Sequence, residues 1–456
     1  VSTSSDAGTG LPFDSGISAP VDAGSDGGVP FDGGVPDAGG ADASVADAGL
    51  VQDAGVVDAG APDAGGADAG AGMDAGVADA GVPDAGGQPV DAGADAGLSE
   101  SVACMPTCNP STGLCGPLEI CTTTNPCTDL GGASVTTEIT TPTCTTSASG
   151  RPTFSDTPPV TWTDATNGDL RAACEFIPSG ASASAQVPLV IFLHGSHGDA
   201  DDLYNYTSLR SKAGSFDLEG NGGNAGFAIV SVQGRNLHWL GPNPAGSHHD
   251  YLFRDLASPS TNPDVRNLDK LVDDLVATGK IDPHRIYLMG WSNGAFMSEL
   301  YAIARFTTGT PGGNHVAAAV AYAGADPFNT PDATDPDCQL SPYPHSAVPL
   351  SFIHRSCDAL VACDAEQQAN FSVPPGYAVE DWLTLAATAS GIDDGTLADQ
   401  IIDYQGVSVA ACTTASLCSE ATGALNHLRW PDGVADMGGH DWEPTMLNFL
   451  SAHPHP

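Results

Sequence analysis

From about residue 151 onward, apolar runs alternate with segments of helical periodicity. Pro188-Leu-Val-Ile-Phe-Leu-His194 is a continuous apolar run, as expected of a strand covered on both faces. Residues 226–232, 316–322 and 348–354 have the same character. Leu268, Leu271, Val272, Leu275 and Val276 recur at helical spacing between charged residues, which predicts a helix over 267–278. Residues 377–387 and 444–452 read as further helices, and 428–430 as a last short strand. The alternation predicts an α/β domain over 151–456: a mostly parallel sheet with helices on both faces.

Before residue 151 this pattern is missing. Residues 1–100 contain no Lys or Arg and repeat Asp-Ala-Gly, with Asp47, Asp53, Asp58, Asp63, Asp68, Asp74, Asp79 and Asp84 five or six residues apart. Such a composition cannot bury enough apolar surface to offset the ordering of the chain, so a disordered acidic arm is expected. Its like charges extend it, which suits a tether or spacer. The spacing does not match the nine-residue repeat of calcium-binding arrays.

Residues 101–150 hold Cys104, Cys108, Cys115, Cys121, Cys127 and Cys144 among Thr, Pro and Gly. A small disulfide-rich module is expected there, with zinc as the alternative. Close spacing suggests Cys357 with Cys363 and Cys412 with Cys418, leaving Cys174 for Cys338. Disulfide use points to an oxidising compartment. The chain begins at Val1 and reads as a processed, secreted or cell-surface protein. A net charge of −43 argues against a nucleic-acid partner, and no apolar run is long enough for a membrane span.

The chemistry centres on Gly290-Trp-Ser-Asn-Gly294, set between an apolar strand and a helix-forming segment. This is the spacing of a nucleophile elbow, in which Ser292 would sit on a sharp strand-to-helix turn of an α/β-hydrolase fold. A serine hydroxyl needs a base, and the base needs a carboxylate to orient it and stabilise its charged form. On that fold they follow the serine in the order acid, then histidine. Asp358 lies just past a predicted strand, with Asp326 as its rival. His440 lies in a glycine-rich loop before the last helix, with His427 and His354 as rivals. Backbone N–H groups of Asn293 and Ser196 are expected to form the oxyanion hole.

These segments resemble the extracellular poly(3-hydroxybutyrate) depolymerases and feruloyl esterases. The resemblance rests on Leu193-His-Gly-Ser196, on Ile281-Asp-Pro-His-Arg-Ile-Tyr287, on Gly-Trp-Ser-Asn-Gly, on Ile-His followed by Asp358, and on Gly-Gly-His-Asp-Trp at 438–442. It spans about 186–445 and leaves out the arm and the cysteine module. Two departures stand out: His354-Arg-Ser-Cys-Asp358 replaces the usual His-Gly-Thr-x-Asp, and the Pro- and Asp-rich stretch 326–345 looks inserted. The resemblance implies a serine esterase that needs no cofactor or metal. Its ester substrate would belong to a polyester, or to a polysaccharide carrying feruloyl or acetyl groups, and could be an insoluble polymer.

Other residues have a functional and a structural reading. Trp239, Trp291 and Trp442 are candidate substrate contacts. Trp239, Tyr251 and Phe253 could form an aromatic platform or a satellite core. His194 is expected to support the oxyanion loop. His248 and His249 read as solvated loop residues rather than metal ligands, since no further ligand has clear spacing. A serine peptidase of the prolyl-oligopeptidase type shares the Ser–acid–His order, and a non-catalytic surface protein is the third class considered.

Overall fold

The computed structural model describes residues 117–456 apart from 129–132, 224, 240–244, 329–344, 373–377, 389–396 and 435–438. The chain divides into the units Val1–Val90 and Asp91–Pro456, and every described residue lies in the second. The expected acidic arm, Cys104, Cys108, Cys115, Cys338 and most of the stretch 326–345 lie outside the described residues.

Among the described residues, β1 (Cys127–Thr128) pairs with β2 (Ser134–Val135) and β7 (Arg235–His238) with β8 (Ala245–His248), while nine strands form one sheet: β3 (Val160–Thr163), β4 (Leu170–Phe176), β5 (Val187–Leu193), β6 (Ala228–Val232), β9 (Ile281–Trp291), β10 (Ala318–Tyr322), β11 (Leu350–Arg355), β12 (Leu397–Ile402) and β13 (Ser408–Val409). Their order is β13-β12-β11-β10-β9-β5-β6-β4-β3. The six strands from β12 to β6 run parallel, and β3, β4 and β13 pair antiparallel at the edges. The chain leaves β5 for β6 on one side, then returns to β9 on the other. That reversal opens a crevice at the carboxyl ends of β5 and β9, where open α/β sheets place their ligands.

The apolar runs become the central strands because both faces are covered. Along β5, Leu189, Ile191 and Leu193 face one core cluster, and Val190 and Phe192 the other. The first cluster is closed by helices α3 (Pro263–Ala277) and α4 (Asn293–Phe306) and by Trp382 of α6 (Val379–Thr388). The second is closed by α1 (Asp202–Asn205), α2 (Leu209–Ala213) and α8 (Glu443–Ala452). Helix α3 starts where its sequence dictates: Asn262 Oδ1 accepts from the N–H groups of Asp264 and Val265, and Pro263 occupies the first turn.

Several expectations are corrected. The described part of the cysteine module does not stand apart. Cys121 N–H donates to Asn236 O at 2.9 Å, and Leu118 N–H to Asp250 Oδ2 at 2.8 Å. Cys144 is joined to Cys174 of β4, so Cys174 does not pair with Cys338. A local bridge links Cys121 to Cys127. Cys357 pairs with Cys418 and Cys363 with Cys412, so the bridges are two nested long-range links rather than two local staples. Chain proximity misled because α7 (Glu420–His427) returns to the loop after β11. Residues 428–430, expected as a strand, are the segment that leaves α7.

Candidate active site

Trp291 ends β9 and Asn293 opens α4, which leaves a single residue for the turn. Ser292 makes it with φ 52° and ψ −118°, a backbone conformation that costs a non-glycine residue about 1–3 kcal/mol. The turn is held by Ser292 N–H donating to Tyr322 O at 2.9 Å, and by Ala295 N–H donating to Ser292 O at 2.8 Å. It also needs Gly290 and Gly294. A Cβ on Gly290 would drive into Gly294 O, and one on Gly294 into the carbonyls of Leu193 and His194.

Ser292 Oγ lies 2.8 Å from His427 Nε2, and His427 Nδ1 lies 2.8 Å from Asp358 Oδ2. The sequence points to His440 as the histidine beside Ser292, and the ring within hydrogen-bonding distance of Ser292 is that of His427. His440 is exposed in the loop before α8, whereas His427 is the last residue of α7, buried at the mouth of the elbow. The helix is the reason. Ser419 accepts from Thr422 N–H and starts α7, and α7 then runs back to present its final side chain to Ser292. Ser419 ahead of Glu420 is a capping signature, and it is the sequence signal that could have favoured His427.

Asp358 occupies the predicted loop after β11 and is fully buried. Burial raises its pKa, but the charge and hydrogen bond of His427, with help from His354 and Val361 N–H, hold it below the usual carboxylate range. Its second oxygen accepts from the N–H groups of Leu360 at 2.8 Å and Val361 at 2.9 Å. Asp326, the rival acid, is buried and accepts Phe328 N–H through Oδ1. His354 donates from Nε2 to Val361 O at 2.8 Å and stands 4.0 Å from Asp358, beneath the array rather than in it.

The loop after β5 forms the other lip. His194 is buried, and burial lowers its pKa to about 4 against a smaller opposing hydrogen bond to Gly195 O. Its Nε2 accepts from Gly234 N–H at 2.9 Å, so Nδ1 carries the proton and donates to Gly195 O at 2.7 Å. A neutral ring thus fixes the loop that carries Ser196, as its expected supporting role requires. Asn293 sits at the first position of α4, where a helix has no internal acceptor for its N–H. Its side chain is clamped to the backbone of His249, accepting at 2.7 Å and donating at 3.0 Å.

A cavity of about 700 Å³ opens on Ser292 and His427. Trp239, Tyr251 and Phe296 line one side, Tyr206, Trp291 and Asp202 another, and Leu360, Val361 and Leu428 a third. Trp239 and Trp291 therefore face it. Trp442 does not: its Nε1 donates to Gly406 O at 2.7 Å, and its ring packs on the second core. Phe253 is not in the lining either, while Tyr251 stacks on Phe296 with ring centroids 4.7 Å apart. His248 and His249 are buried, not solvated. Burial lowers both well below the ordinary histidine value, and His248 stacks on Trp239 at 4.4 Å. Among the described residues, no cluster of three metal-capable side chains includes either of them.

A strand-to-helix nucleophile elbow on a parallel central strand, with acid and histidine reached later in the chain, defines an α/β-hydrolase fold. No family model matches the chain. The protein named "Putative esterase NocK" of Nocardia uniformis subsp. tsuyamanensis is 28% identical over 112 residues, 24% of this chain and 27% of that relative. The chain thus matches about a quarter of that relative's length. The structure of a thermostable esterase shares 18% identity over 61% of this chain and 62% of its own, with a TM-score of 0.31. Thermogutta terrifontis esterase 2, phosphonylated by cyclosarin, shares 13% identity over 61% of this chain and 92% of its own, with a TM-score of 0.35. No helix among the described residues is long and apolar enough to cross a membrane.

Proposed function

We propose that this chain is a serine esterase that hydrolyses carboxylic esters through an acyl-enzyme. One observation carries the reading: an unbroken hydrogen-bond chain from Asp358 through His427 to Ser292, opening on the cavity. His427 takes the Ser292 proton as Oγ attacks the ester carbonyl. The buried Asp358 carboxylate fixes the ring with Nδ1 protonated and stabilises its charged form. The N–H groups of Asn293 and Ser196 receive the developing oxyanion, already oriented at the helix terminus and on the His194-braced loop. His427 then protonates the leaving alcohol and activates water to release the acid.

The acyl or alcohol part is proposed to belong to a polymer, either a polyester or an esterified polysaccharide, met outside the cytoplasm. Leu428 is 60% exposed and Leu360 51% at the cavity, which gives it an apolar rim suited to a poorly soluble ester. Four disulfides among the described residues suit an oxidising compartment.

The test is hydrolysis of p-nitrophenyl butyrate by the full chain beside Ser292→Ala. Turnover that vanishes in the variant supports the esterase. Equal rates in the two proteins overturn it.

A further inference from the structure

The lining of the cavity is chemically one-sided. Among the described residues it contains no Lys or Arg, and the carboxylate among them is Asp202. Asp202 is 9% exposed, and its carboxyl lies against the backbone of the loop after β5: a Cβ added to Gly198 would run into Asp202 Oδ2. The acid therefore sits beside the loop that carries the Ser196 N–H, within the same cavity as Ser292.

Its neighbours match. Tyr206 follows Asp202 by four residues, and its N–H donates to Asp202 O at 2.9 Å. This helical spacing turns both side chains the same way. The Tyr206 ring stands edge-on to Trp291 at 6.1 Å between centroids. Trp291 is held in turn by its Nε1 donating to His427 O at 3.0 Å. A carboxylate that lines one cavity with two aromatic rings is the chemistry that recognises a positive charge, through ion pairing and cation–π attraction.

We propose that Asp202, Tyr206 and Trp291 form a specificity subsite for esters carrying a cationic group, such as a quaternary ammonium. The proposal rests on the esterase reading above. It also accounts for an acid placed where it would otherwise harm the reaction. An ionised Asp202 beside the oxyanion loop opposes the negative charge that develops on the substrate. A substrate cation seated against it cancels that opposition. Burial first, and then the charge of Asp199, raises the Asp202 carboxyl to about 7, and a cation seated against it would favour the ionised form.

The test compares two esters of nearly equal shape on the full-length protein: butyrylcholine and its uncharged carbon isostere, 3,3-dimethylbutyl butyrate. The quantity read is the ratio of their kcat/KM values. Wild type should favour the cation at least about tenfold, and Asp202→Asn should bring the ratio close to one. Tyr206→Ala, made on a half-exposed ring whose loss leaves the core intact, should lower the ratio several-fold even if the Asp202 variant fails to fold. A wild-type ratio near one overturns the subsite, as does a ratio that both variants preserve. Hydrolysis of neither ester overturns the subsite, and the esterase reading falls with it only if Ser292-dependent hydrolysis of p-nitrophenyl butyrate is absent as well. Hydrolysis of the neutral ester alone overturns only the subsite.

Discussion

Asn426 donates through Nδ2 to the Cys357 carbonyl at 2.7 Å, one residue before the candidate base on one side and one residue before the candidate acid on the other. The disulfide from Cys357 to Cys418 runs alongside and ties the acid loop to the segment that leads into α7. The 2.8 Å contact between His427 and Asp358 is thus fixed by two links outside the array. Losing the Asn426 link should disturb the pair without touching substrate. Asn426→Ala is expected to lower kcat roughly five- to thirtyfold, the equivalent of about 1–2 kcal/mol, with KM nearly unchanged. Steady-state kinetics on a p-nitrophenyl ester decide it: a rise in KM at constant kcat would contradict a positioning role.

His427 and His440 make opposite predictions. His427→Ala removes the ring that touches Ser292 Oγ and should cost roughly 10³-fold or more in kcat. His440→Ala removes an exposed loop side chain and should stay within about twofold of wild type. The two variants assayed side by side under saturating ester give the answer, and a reversed ranking would return the base to the loop at 440.

The nested disulfides can be read directly. A non-reducing peptide map should recover Cys357 with Cys418 and Cys363 with Cys412. The sequence separations are 61 and 49 residues, for which loop-closure entropy predicts about 4 kcal/mol of stabilisation for either bridge formed alone, and less than the sum for the nested pair. Reduction should therefore lower the thermal midpoint, and activity should fall with it because both bridges brace the loop of Asp358.

Gly294 cannot carry a side chain, since a Cβ would enter the Leu193 and His194 carbonyls. Gly294→Ala must push the first turn of α4 away from β5, at a cost of roughly 1–3 kcal/mol or more. Both the melting temperature and ester turnover should drop. A variant with wild-type stability would show that the elbow is looser than this packing implies.

Glu299 gives a pH signature. It is fully buried on α4, and burial lifts its carboxyl well above the ordinary value; the Trp382 indole N–H at 2.8 Å opposes the rise and Asp326 adds to it. A raised folded pKa means that the folded state holds the proton longer than the unfolded chain does. The stabilisation is complete below the unfolded value of about 4.3 and is lost as pH climbs toward the folded one, at up to about 1.4 kcal/mol per pH unit. Glu299→Gln keeps an acceptor for Trp382 and removes the titration. Urea unfolding should place the variant near wild type at about pH 4 and increasingly above it toward pH 8. Parallel pH curves for the two proteins would show that Glu299 does not titrate with folding.

Much of the fold was legible because it rests on local rules. The apolar runs at 188–194, 226–232, 316–322 and 348–354 became β5, β6, β10 and β11, since a strand covered on both faces needs apolar residues throughout. The elbow was legible for a related reason: Gly290 and Gly294 record close backbone approaches that only glycine permits. Strands β3 and β4 were not read, because β3 is largely exposed at the sheet edge and β4 carries Arg171 and Glu175 within its run.

The sequence by itself determined the alternation that builds a parallel sheet, the strained turn that displays Ser292, and the loop position of Asp358. Each depends on residues adjacent in the chain. Only the tertiary structure decided which histidine reaches the serine, which cysteines pair, and which aromatic rings face the cavity. The physical reason is the return path of the chain after β12. Helix α7 brings His427 to a serine 135 residues away, and Cys418 to the doorstep of Asp358. A glycine-rich loop before the last helix looked better suited to a mobile base. The helix end won because packing against the acid loop fixes its direction, and no local pattern encodes where a helix points.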